Sequence, residues 1–85
     1  MVLSDEMDED ILLCQITSKQ IQRDTYTIEL KKSETQGGSL MIDSYIRANM
    51  LFTAAKHQIQ KKICRIPSAK YQKVVDTIHK LISRP

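Results

Sequence analysis

Residues 11–18 read as a short apolar run that stops on two hydroxyl side chains, Thr17 and Ser18. The run is too short for a membrane span and has no helical periodicity, so it predicts a strand. Its continuous hydrophobicity predicts cover on both faces. Its end delivers Thr17 and Ser18 to the surface, where a hydroxyl or a backbone N–H can meet a ligand. Upstream, Met1-Val2-Leu3 has strand character, and Glu6, Asp8, Glu9 and Asp10 are too mutually repelling for anything but a loop.

The next pattern alternates. In residues 24–30, Tyr26, Ile28 and Leu30 share one face and Thr25, Thr27 and Glu29 the other, which predicts a half-buried strand. A polar connection over residues 31–38 ends in Gly37-Gly38, a pair suited to a turn with positive φ. Residues 39–42 predict a third strand. Residues 44–47 and 50–53 predict two short strands, or one bent pair about Ala48-Asn49. Thr53 is placed to cap a short helix over residues 54–62, with Ile59 and Ile63 pointing inward. After Pro67-Ser68, the apolar residues Tyr71, Val74, Val75, Ile78, Leu81 and Ile82 recur at three- and four-residue spacing, the stripe of an amphipathic helix. Several short strands followed by such a helix imply a small, strongly bent sheet or partial barrel with the helix packed on it.

Composition narrows this reading. The 85 residues suit one domain with little core to spare, for which association with another subunit is the simplest support. Cys14 and Cys64 lie in apolar segments and match no metal spacing, which favours core packing in a reducing compartment. The acidic N-terminal segment has neither the basic nor the apolar region of a secretory leader, so a cytoplasmic protein without membrane association is expected. Charge divides the chain. Residues 1–45 carry nine acids against four bases, a net of −5, while residues 46–85 carry nine bases against Asp76 alone, a net of +8. This asymmetry fits a polyanion or an acidic partner held at one end, and equally a lysine-rich helix face that only keeps the chain soluble.

One ordered series is more specific than any of its parts. Asp-Ile-Leu-Leu-Cys-Gln-Ile-Thr-Ser, an alternating strand, Gly-Gly-Ser-Leu, Ser-Tyr-Ile-Arg, Leu-Phe-Thr, Lys-Lys-Ile and a C-terminal amphipathic helix together resemble the PemK/MazF toxins of type II toxin–antitoxin systems. The resemblance implies an SH3-like small barrel, CcdB/PemK-like, mainly β with one C-terminal helix, usually as a homodimer. It implies a metal-independent endoribonuclease that cleaves single-stranded RNA and is silenced by a cognate antitoxin, with no cofactor. Family members normally place a strand, a mobile loop and an Arg-Pro before the segment resembling Met1-Val2-Leu3-Ser4, and that arginine is the one usually assigned to catalysis. Here the sequence begins at that segment. The expectation is therefore a single domain, truncated at its N-terminus and without the catalytic arginine, for which loss of activity is one expected outcome because neither Arg47 nor Arg23 is placed by sequence to replace it, with an incomplete barrel and an open sheet edge that invites aggregation. Cys64 stands where the family commonly has glycine after Lys-Lys-Ile.

RNA cleavage through the 2′-hydroxyl needs a group to take its proton, a group to protonate the departing 5′-oxygen, and donors for the phosphoryl oxygens. The resemblance assigns Thr17 to the scissile phosphate, with Ser18 and Lys19 beside it. A threonine hydroxyl orients and donates but is no base by itself. Read from the residues alone, without the resemblance, Thr17 is better explained as a strand-end hydroxyl bonded to a neighbouring backbone group. Arg47 corresponds to a basic position common in the family and suits contact with the RNA backbone; Arg23 is a second guanidinium near Thr17. Tyr45 is suited to stacking on a base or to the edge of the core. His57 and His79 invite an acid–base pair but read better as residues on helix flanks, and neither has a metal-ligand partner at useful spacing. Lys61, Lys62 and Arg65 form a basic cluster for phosphate, for an acidic antitoxin tail or simply for solvent. Two other functions stay open: a non-catalytic binder of nucleic acid or antitoxin on the same scaffold, and the related gyrase-poisoning toxins, against which the Thr17-Ser18 strand end argues.

Overall fold

The computed structural model describes residues 1–19, 25–38, 40–59 and 63–83. Among these, four strands pair antiparallel in one sheet: β1 (Val2–Ser4), β2 (Asp10–Thr17), β3 (Thr27–Leu30) and β4 (Ser44–Ala55), in the order β1-β2-β4-β3. Single 3-10 turns at Lys32–Glu34 and Lys56–Gln58 punctuate the connections, and one helix, α1 (Ser68–Ile82), closes the chain. The architecture is the expected one, mainly β with a C-terminal amphipathic helix against a curled, half-barrel sheet. Among the described residues no helix is long and apolar enough to cross a membrane.

The core forms because every strand turns alternate residues to one side. β3 gives Ile28 and Leu30, as its alternation predicts, while Glu29 between them is exposed. β4 gives Ile46 and Ala48, β2 gives Cys14, β1 gives Leu3 and α1 gives Val74. Leu12, Ile16, Leu40, Ile66 and Ile78 pack around this cluster. Leu30, Ile46 and Val74 are fully buried, and burial of such a side chain contributes roughly 1.5–3 kcal/mol. The predicted stripe of α1 is only partly consumed: Val74 is buried, whereas Tyr71, Leu81 and Ile82 remain exposed.

The first turn of α1 reaches both rims of the sheet. Tyr71 Oη donates to the carbonyl of Leu3 on β1 at 2.6 Å, and Lys70 Nζ donates to the carbonyl of Glu29 on β3 at 2.8 Å. Lys70 also pairs with Glu34 Oε2 at 3.0 Å, and Glu34 Oε1 accepts from the Lys31 backbone N–H at 2.9 Å. β1 and β3 lie at opposite ends of the strand order, so consecutive helix residues can reach both only if the sheet curls strongly. Glu34 is consequently held below the usual carboxylate range, first by the Lys31 N–H and then by Lys70.

Four expectations need correction. Residues 40–42 are not a strand: Leu40 packs against the core while Met41 and Ile42 are exposed in a bend, and Ser39 lies outside the described residues. The two short strands are one twelve-residue strand, β4, bent where Cys14 pairs with Leu51 and the next residue, Gln15, pairs with Arg47. Ala48, Asn49 and Met50 have no counterpart on β2 there, a bulge that bends the strand. No helix starts at Ala54. Both alanines continue β4, paired with Ile11 and Asp10, and ladder bonds outweigh alanine's helical preference; Ile59 and Ile63 are exposed rather than inward. Finally, β2 is not covered on both faces: Ile11 is buried, but Leu13 is half-buried and Gln15 exposed. Gly37 and Gly38 do adopt positive φ, +64° and +145°, and a side chain on Gly38 would collide with the Ile63 carbonyl.

Candidate functional site

Cross-strand partners share a face, so the register of β2, β4 and β3 assembles the outer surface row by row. One row is Thr17, Tyr45 and Glu29; the next is Gln15, Arg47 and Thr27. All six side chains turn away from the core face that carries Ile16, Ile46 and Ile28, which are themselves mutual partners. The polar half of the outer sheet face is therefore built from alternate residues on three strands, a grouping that only the register creates.

The site residues named from sequence divide accordingly. Thr17, Tyr45 and Arg47 come together, all half-buried. Thr17 Oγ1 accepts the backbone N–H of Lys19 at 3.2 Å, which folds the chain back just after the strand and leaves the O–H to give. Ser18 and Lys19 are exposed on that turn. Arg47 Nη1 donates to Gln15 Oε1 across the β2–β4 pair at 3.4 Å. Glu29 is met by Lys31 Nζ at 3.8 Å, an exposed pair worth little in stability that sets a cation beside the carboxylate of these two rows. Thr27 Oγ1 and Asn49 Oδ1, flanking Arg47 across the ladder and along β4, are buried with no hydrogen-bond partner.

The histidines stand apart from this grouping. His57 is exposed in the turn after β4, beside Asp8 and Glu9, at the end of β2 opposite Thr17 and so about 23 Å away along the strand. His79 is exposed on α1. Arg23, Lys61 and Lys62 lie outside the described residues; Arg65 is exposed and bridges to the backbone of Gln36. Among the described residues no group of His, Cys, Asp and Glu is arranged to hold a metal ion.

Beyond the bulge the same outer face changes character. Val2, Leu13 and Phe52 form a continuous row across β1, β2 and β4, with Val2 and Phe52 about half exposed. Met50 and Leu51 are exposed beside it. Gln15, Glu29 and Thr27 carry no sequence signal as site residues. Gln15 sits inside an otherwise apolar run, and Glu29 and Thr27 look like an ordinary solvent face until the register aligns them.

A row of hydroxyl, phenol and carboxylate beside a row of carboxamide, guanidinium and hydroxyl can bind a phosphodiester and present donors to it. Among curated proteins, nothing matches the chain. The family described as PemK-like, MazF-like toxin of type II toxin–antitoxin system matches residues 1–82, nearly the whole length. With the curled sheet, the C-terminal helix and that span of matched sequence, the chain belongs to the PemK-like, MazF-like toxin family of type II toxin–antitoxin systems.

Proposed function

We propose that this toxin acts on single-stranded RNA in the cytoplasm, as a metal-independent endoribonuclease that needs no cofactor, and that the polar half of the outer sheet face holds the RNA. The observation that carries this reading is the convergence of Thr17, Tyr45 and Arg47 on one face through the β2–β4 register. Arg47 is the guanidinium for phosphoryl oxygens, the Thr17 hydroxyl a donor to the same phosphate, and Tyr45 the surface for a base. Ser18 and Lys19 extend the phosphate contacts beyond the strand end. Glu29, in the row of Thr17, is the carboxylate nearest in register to the 2′-hydroxyl of an RNA laid there.

The test is incubation with a mixed-sequence RNA in the presence of a chelator. Cleavage in wild type, reduced roughly 100-fold in Thr17→Val, is the expected result. A second reading, binding without cutting, is favoured by one observation: Thr17 Oγ1 is already engaged by the Lys19 N–H. Intact RNA that nonetheless co-elutes with the protein would establish it. RNA that is neither cut nor bound would end both readings.

A type II toxin has an antitoxin as its partner. The apolar row Val2, Leu13 and Phe52 is the surface on which a second copy would pack to form the homodimer. Light scattering on wild type and Phe52→Glu checks this: a dimer that the charge converts to monomer is expected, and a wild-type monomer at high concentration refutes it.

A further inference from the structure

We infer that Lys70, on the first turn of α1, is a positioning residue for Glu29: it holds the Glu29 backbone carbonyl and, through Glu34, the chain that leaves β3, and so sets where the Glu29 carboxylate stands on the outer face. The inference rests on the proposed action on RNA and adds to it the residue that fixes that carboxylate from the helix side of the sheet. β3 is an edge strand of four residues, with β4 on one side. The Ala48 N–H donates to the Tyr26 carbonyl at 3.0 Å, and hydrogen-bonded pairs alternate along an antiparallel ladder, so Ile28 and Leu30 are the next residues to exchange bonds with β4. Glu29 falls between them and turns its N–H and carbonyl away from β4, to the open edge. There Lys70 Nζ donates to that carbonyl at 2.8 Å. The helix, rather than the ladder, holds this peptide group.

Glu34 doubles the fastening. Lys70 Nζ pairs with Glu34 Oε2 at 3.0 Å, and Glu34 Oε1 accepts the Lys31 N–H at 2.9 Å. Lys31 in turn sets its Nζ 3.8 Å from Glu29 Oε1. One ammonium therefore reaches both the residue that carries the carboxylate and the backbone of the cation beside it. The Lys70 side chain is only 17% exposed, so its contacts are screened less than the open pair of Glu29 and Lys31. Tyr71, the next residue, supplies an internal comparison: it fastens the same helix turn to the Leu3 carbonyl on β1, at the other end of the strand order from Glu29. Placement matters because a group that takes a proton must stand within hydrogen-bond reach of it, and a misplacement of about 1 Å can cost on the order of 100-fold in rate.

The experiment uses the full chain as wild type, Lys70→Met, Lys70→Arg and Tyr71→Phe. The first readout needs no RNA. Glu29 and Tyr45 are cross-strand partners on one face, a pairing that sets Cβ atoms about 5 Å apart, so their side chains give proton–proton cross-peaks in NMR. These weaken in Lys70→Met and persist in Tyr71→Phe, although both variants loosen the helix. Cross-peaks of equal strength in wild type and Lys70→Met overturn the inference, and so does the same weakening in Tyr71→Phe. The second readout is cleavage of a mixed-sequence RNA with chelator present. Lys70→Met lowers kcat by about tenfold with KM little changed, and Tyr71→Phe stays near wild type. Lys70→Arg, which keeps donors for both oxygens, recovers most of the loss. In a Glu29→Gln background Lys70→Met has no further effect; the same tenfold loss there overturns the positioning role. Should Lys70→Met not fold, Glu34→Gln takes its place: smaller losses in cross-peaks and kcat are expected, and unchanged values overturn the inference. Wild type that leaves RNA intact removes the proposed function, and the cross-peaks still decide the role of Lys70. Wild-type cleavage that Lys70→Met leaves unaltered removes the inference alone.

Discussion

The two faces of β4 are made from adjacent residues and have nothing else in common. Ser44, Ile46 and Ala48 turn inward and are buried; Tyr45 and Arg47 turn outward and stay half-open, each in register with polar residues of β2 and β3. The inner set determines whether the sheet exists. The outer set is free to carry charge and hydroxyl groups because the inner set already stabilises the strand. Chemistry on an interior strand is thus held more firmly than it would be on a loop, at little cost to the core.

The largest effect expected from this division is on the inner face. Ile46→Ala, at a fully buried position, should cost roughly 3 kcal/mol in a urea melt, whereas Arg47→Ala next to it should change stability by under about 1 kcal/mol. Equal losses would show that the two faces are not separable. Next comes the fastening of the helix: Tyr71→Phe removes the bond to the Leu3 carbonyl and should cost about 1 kcal/mol.

Thiol chemistry sharpens the same contrast without a stability measurement. Cys14 is on the inner face, and burial pushes its thiol up from the ordinary range, while Cys64 is half-exposed. Under native conditions one thiol per chain should react with a chromogenic disulfide reagent, Cys14 waiting for unfolding; two fast thiols would mean that the inner face opens readily. The smallest effect is acid sensitivity through Glu34, whose folded carboxyl lies below its ordinary value. Its contribution is complete above the unfolded value of about 4.3 and is lost as pH falls through the lower folded one. Lys70→Met should lower thermal stability more at neutral pH, where Glu34 is ionised, than in acid, and so flatten the drop on acidification; a loss of the same size at both ends would remove the Lys70–Glu34 pair from the account.

Much of the scaffold was legible. The stub at Val2, the strands ending at Thr17 and Leu30, the positive-φ glycines and the helix after Pro67 all follow from periodicity and turn chemistry. The misreadings cluster where tertiary pairing overrides local pattern. Ala54 and Ala55 look helical and are held extended by Ile11 and Asp10, and the bulge at Ala48, Asn49 and Met50 splits the alternation of a single strand in two. For the site, Thr17, Tyr45 and Arg47 could each be singled out, and alternation along the strand puts Tyr45 and Arg47 on one face, but nothing local brings Thr17 beside them. That depends on a register shift of three residues, and Gln15 and Glu29 became visible only through it. Of the basic residues considered from sequence, Arg23, Lys61 and Lys62 fall outside the described residues.

The helix that touches Leu3 and Glu29 at once has a consequence for how this toxin meets other chains. A peptide that tried to lengthen the sheet sideways would find a phenol on one border and an ammonium on the other, each already occupying a carbonyl it would need. At those two carbonyls, extension of the sheet by an antitoxin strand is expected to be disfavoured relative to contact through side chains.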